Sequence, residues 1–201
     1  MFRYLNNLKI VNKLKILIIP IIIITFISLI IIFSQSKYNY SRSEYLIKAN
    51  IAYDYLIKAN AYQAIERGTT ATVLNNPNDR GTFDKISKLR NMGDTFLDSA
   101  ITVISMLDED RPYIIENISQ LKNVRERRDN LRSKLDGILT VQKDSAITVE
   151  WIKIQSDLIM ECNFVATSMF ISEENIENIL KLNNTIKKNI LYASEYAGRE
   201  R

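Results

Sequence analysis

The chain has 201 residues, with 27 Lys and Arg against 23 Asp and Glu, no histidine and one cysteine, Cys162. Without histidine there is no imidazole metal site and no Ser-His or Cys-His nucleophile pair, and a lone cysteine makes no internal disulfide. The sequence therefore points away from an enzyme and toward a fold held by packing. Arg3, Lys9, Lys13 and Lys15 supply the whole formal charge of +4, and the remaining basic residues equal the acids, so a pI near 9.0 speaks of topology rather than nucleic-acid binding.

Residues 1–15 read as a basic cytoplasmic N-terminus, because no acid accompanies those four cations. Residues 16–33, from Ile16 to Phe33, carry no charge and as a helix rise about 27 Å, close to the hydrocarbon thickness of a bilayer. Basic flanks favour the cytoplasmic side, which places the N-terminus inside and residues 34–201 outside. Phe33, Tyr38 and Tyr40 follow at the exit, where aromatic rings settle among headgroups. Pro20 is tolerated in a membrane helix and predicts a kink in its cytoplasmic half. A cleaved signal peptide competes with this reading through Ser34 and Ser36, but the apolar run exceeds the about 7–15 residues of a signal core.

Beyond the anchor only two prolines occur, and no β-hairpin signal is present, so helices with short breaks are expected. The first spans about 37–74, continuous with the membrane helix, and Asn75-Asn76-Pro77-Asn78-Asp79-Arg80-Gly81 stops it. The second spans about 82–107, with Phe83, Ile86, Leu89, Leu97, Ala100, Ile104 and Leu107 at helical spacing and Gly93 on the same stripe allowing close approach. The third starts at Pro112 and runs to about Lys143. Its stripe of Ile114, Ile118, Leu121 and Val124 resumes at Leu131, Leu135 and Ile138 after a gap that holds Arg127 and Arg128; Arg128 is an independent candidate for holding an anion, with snorkelling the plainer explanation of its place.

The fourth helix, about 146–170, shows a stripe of Ile147, Trp151, Ile154, Leu158, Cys162, Val165 and Met169, which makes Cys162 a packing residue rather than a reactive thiol. Ser172-Glu173-Glu174 suits the start of a fifth helix carrying Ile176, Ile179, Ile186, Ile190, Ala193 and Ala197. Two near copies, Glu44 to Asn50 and Asp54 to Asn60, lie ten residues apart and present different faces of one helix.

Two clusters carry possible chemistry: Gln63-Ala64-Ile65-Glu66-Arg67-Gly68-Thr69-Thr70 and Ala197-Gly198-Arg199-Glu200-Arg201. Each sets glycine beside arginine and glutamate inside a predicted helix, where glycine costs about 0.5–1 kcal/mol relative to alanine. The missing side chain would let a helix or a small ligand approach the arginine. The plainer alternative is tight helix contact with Arg–Glu pairs at the surface.

Glu66-Arg67-Gly68, the Arg90-x-x-x-Asp94 spacing and Ala197-Gly198-Arg199-Glu200-Arg201, in that order after a membrane helix, resemble the NIT domain. That is a nitrate- and nitrite-sensing all-helical module of bacterial chemoreceptors, sensor kinases and cyclases. The resemblance runs from about Tyr45 to Arg201. It implies an all-α fold, one transmembrane helix followed by an extracytoplasmic up-and-down helical bundle in the bacterial inner membrane. It implies a receptor of the methyl-accepting chemotaxis type that binds a small oxyanion through Arg67, Arg199 and Arg201, with Thr69 and Thr70 adding hydroxyl donors and no cofactor or metal. Planar guanidinium groups present paired donors to planar oxyanions and stay charged at any relevant pH.

A homodimer is the arrangement such receptors imply. Further helices, a second span and a cytoplasmic signalling module are expected downstream, so the sequence reads as cut inside the domain. A single-pass anchored helical interaction module, or the sensor input of a histidine kinase or cyclase, are the alternatives.

Overall fold

A computed structural model describes residues 10–75, 81–107, 112–138, 145–170, 182, 185–190 and 192–193, and among them there is no strand. Four long helices account for nearly all of it: α1 (Ile10–Asn75), α2 (Gly81–Ser105), α3 (Pro112–Ile138) and α4 (Ser145–Ser168). The expected boundaries hold to within a few residues at the starts, and α2 and α4 each end two residues earlier than the apolar spacing suggested, whereas the expected end of α3 near Lys143 lies outside the described residues. Of the expected fifth helix, residue 182 and the stretches 185–190 and 192–193 are helical, and the remainder lies outside the described residues.

The chain divides into two compact units, Met1–Leu46 and Ile47–Arg201. In the first, α1 is long and apolar enough to cross a membrane, and its apolar window is wholly unburied. Two hydroxyls in this stretch are satisfied within the helix: Thr25 Oγ1 donates to the Ile21 carbonyl and Ser28 Oγ to that of Ile24, each at 2.8 Å. Neither then needs a partner in hydrocarbon. Pro20 sits inside the helix without ending it.

In the second unit the C-terminal part of α1 packs with α2, α3 and α4. Pairings across the helices run antiparallel from α1 to α2 (Gln63 with Gly93, Glu66 with Arg90), α2 to α3 (Arg90 with Asp136, Asp94 with Arg132) and α1 to α4 (Asn60 with Asn163, Arg67 with Ser156). All four helices meet in one apolar cluster of Val73, Leu74, Ile86, Leu131, Leu135, Trp151 and Ile154. Burying each large side chain fully contributes about 1.5–3 kcal/mol before the entropy of ordering it.

The expected stripes of α2 and α4 are buried, from Ile86 to Leu107 and from Trp151 to Met169. The two near copies on α1 do present different faces: Tyr45 is buried where Tyr55 is half-buried, and Ile47 is exposed where Ile57 is half-buried. The gap on α3 departs from expectation. Arg127 is exposed, but Arg128 is wholly buried and does not snorkel, because the partly exposed carboxylates of Asp94 and Asp129 reach it there.

Candidate functional site: a polar layer inside the bundle

On α1 the core-facing stripe is apolar at Leu56 and again at Val73 and Leu74, but between them the buried positions are Ala59, Asn60, Gln63, Glu66, Arg67 and Thr70. A helix of this period would gain most by burying leucine there, so five polar side chains in succession demand partners.

Glu66 obtains the most. Its Oε1 accepts from Arg90 Nε on α2 at 3.1 Å and from Arg132 Nε on α3 at 2.9 Å. Its Oε2 accepts from Arg132 Nη2 at 2.5 Å and from Gln155 Nε2 on α4 at 3.0 Å. One wholly buried carboxylate thus joins all four helices, which corrects the expectation of Arg–Glu pairs at the surface. Four charge-assisted bonds offset the desolvation of the ion.

Around this hub, Arg132 Nη1 donates to Asp94 Oδ2 at 2.7 Å and to Asp129 Oδ1 at 3.3 Å, and Arg90 Nη1 donates to Asp136 at 2.7 Å. Arg128 donates Nε and Nη2 to Asp129 Oδ1 at 2.9 and 2.8 Å, and its Nη2 lies 2.9 Å from Asp94 Oδ1. Arg125 pairs with Asp98. Burial opposes the charge of Arg132, but its bond to Glu66 and the nearby charges of Glu66 and Asp94 outweigh that and raise its pKa. Arg125 is likewise raised, chiefly through its bond to Asp98.

Arg67 faces α4. It is 3 % exposed, its Nη1 donates to Ser156 Oγ at 2.7 Å, and its carbonyl accepts from Trp151 Nε1 at 3.2 Å. One turn away on each side, Thr70 Oγ1 and both carboxamide atoms of Gln63 are buried without a hydrogen-bond partner among the described residues. Further along the α1–α4 seam, Asn60 Nδ2 donates to Asn163 Oδ1 at 3.0 Å.

Of the sequence-predicted site residues, Arg67 and Thr70 are therefore buried together in this layer. Thr69 is only half-buried, since the residue two after Arg67 falls on the opposite side of the helix. Arg199 and Arg201 lie outside the described residues. Gly68 does not admit a neighbouring helix as expected: a Cβ there would meet nothing within 4 Å. Gly93 does face α1, where a Cβ would lie 3.5 Å from Gln63 Cγ and Tyr62 Cβ, at ordinary contact.

Sequence reasoning missed Gln155, Ser156, Arg132 and the role of Gln63. The available signal was the polar run at alternating three- and four-residue spacing, Asn60, Gln63, Arg67 and Thr70, on a stripe otherwise apolar. Among the described residues no three Cys, Asp or Glu side chains are grouped to hold a metal ion. Burial pushes the Cys162 thiol up to about 12, against the lowering effect of Arg128, so it is protonated at neutral pH.

Comparison with protein-family models, curated proteins and solved structures finds no match to this chain.

Proposed function

We propose that this chain is the ligand-sensing part of a bacterial transmembrane receptor, of the chemotaxis type, anchored by α1 in the inner membrane with its N-terminus inside. Its bundle lies outside and binds a small oxyanion such as nitrate or nitrite. The observation that carries this reading is Arg67: a guanidinium buried in the bundle, bonded through Nη1 to a neutral hydroxyl, with the Thr70 hydroxyl buried beside it and unspent. A small anion that takes Ser156's place on Nη1 replaces a charge–dipole contact with a pair of opposite charges, whose attraction is strengthened in the low-dielectric interior. Because Ser156 and Gln155 are neighbours on α4, such an exchange also bears on the Glu66 hub. A ligand with different affinity for two helix arrangements then shifts their populations. Arg199 and Arg201 join this site in the reading that the motif resemblance supports, and a homodimer with a downstream signalling module completes the receptor.

The test is thermal unfolding of the full chain in detergent micelles, followed by Trp151, the only tryptophan and a buried one. Nitrate or nitrite raises the midpoint beyond matched chloride, and Arg67→Ala removes that rise. No rise in the wild-type chain sinks the proposal.

A second reading, an anchored helical interaction module, draws on the open face of α1 at Gly68, where Ile65 is exposed one turn away. Stoichiometric crosslinking to a protein partner through Ile65→Cys, with no anion response, favours that reading.

A further inference from the structure

Unspent buried groups meet at a second place in the bundle, one layer from Glu66. The Arg128 side chain is wholly buried. Its Nε and Nη2 are taken by Asp129 and Asp94, while its Nη1 is buried with no hydrogen-bond partner among the described residues. Gln63 is equally buried, and neither its Nε2 nor its Oε1 has a partner there.

Two independent relations put these side chains at one level. Gly93 on α2 faces Gln63, a Cβ there lying 3.5 Å from its Cγ, and the next residue, Asp94, is the one paired with Arg128. The Glu66–Arg132 pair ties α1 to α3, which run the same way because each is antiparallel to α2. Gln63 and Arg128 stand three and four residues from that pair toward the same end, an advance of about 4.5 and about 6 Å.

The charges are unevenly placed. Those buried to nine-tenths or more are Arg67, Arg128 and Arg132 against Glu66 alone. The balancing Asp94 and Asp129 lie toward the rim, with side chains 28 % and 47 % exposed, and keep part of their hydration. A buried donor that lacks an acceptor bears its full desolvation penalty, so an acceptor that can reach the interior is bound there favourably. We propose that Arg128 Nη1 and Gln63 Nε2 form a second binding site, distinct from Arg67, for a small monovalent anion, a halide or a planar oxyanion. A dianion would carry a much larger desolvation cost into the same buried layer.

The experiment is thermal unfolding of the full chain in detergent at constant ionic strength, with potassium gluconate exchanged for chloride or sulfate. Chloride at about a hundred times its dissociation constant raises the midpoint by about 5–10 °C, and sulfate does not. Gln63→Leu, a near-isostere without the unpartnered amide, folds with an unchanged or higher midpoint in gluconate and loses that rise, whereas Arg67→Ala retains it. A rise that survives Gln63→Leu overturns the proposal, and so does the absence of any rise in the wild-type chain. If Arg67→Ala alone loses the rise, only the Arg67 site exists. Loss in both variants makes one site spanning a turn of α1 and overturns a separate second one.

Discussion

Glu66 is the side chain on which most of the interior depends, because its two oxygens collect four donors from three other helices. Glu66→Gln keeps the shape but withdraws the charge facing Arg132 and Arg90. Removing one partner of a buried pair costs about 3–5 kcal/mol, so the urea midpoint of Trp151 fluorescence should fall sharply in this variant. Glu161 offers the opposite case. Burial, and then the nearby Asp157 charge, raise its carboxyl above the usual range. Between the ordinary and the raised pKa the folded chain binds more protons than the unfolded one, so this group's contribution is fully present below that window and declines as pH rises through it. Glu161→Gln should therefore be more stable than wild type at neutral pH and lose its advantage in acid, which urea titrations at both pH values check.

The same scale shows why some residues were illegible in the sequence. Arg128 stands in an apolar stripe, and what keeps it inside is Asp94, on a different helix and 34 positions earlier. Spacing along α3 cannot reveal that partner. Ser156 and Gln155 look like ordinary polar substitutions on an apolar helix until Arg67 and Glu66 are brought against them.

At the scale of elements, helical periodicity was sufficient where apolar residues alone decide the face. The α2 stripe of Ile86, Leu89, Leu97, Ala100 and Ile104 is buried as spaced, and so is that of α4 from Trp151 to Met169. α1 was harder, because its core-facing stripe turns polar for several layers and a polar stripe resembles a solvated face. Its glycine also separates two explanations. Gly68 lies in the helix with open space where a side chain would be, so no packing requirement inside the described chain accounts for it. Gly68→Ala should raise stability by about 0.5–1 kcal/mol through helix propensity alone. The same urea titration tests this, and a loss of stability would mean that another surface lies against that face.

For the molecule as a whole, the apolar stretch of α1 and the polar layer of the bundle pose complementary problems. The first exposes a charge-free run along one helix, which water disfavours and a bilayer accepts. The second buries several formal charges and unsatisfied amides, which a structural bundle has no need of and which cost stability. A polar interior that costs stability in this way is what the proposed binding role requires.

Direct titration of the purified full chain with nitrate by isothermal calorimetry in a saturating chloride background, wild type against Arg67→Ala, tests the assignment of Arg67 most plainly. Saturable binding by the wild type that the variant loses, with Trp151 fluorescence showing the variant still folded, is the predicted result. Equal heats from both proteins, or no saturable heat from either, would contradict the assignment of Arg67 as an anion-binding residue.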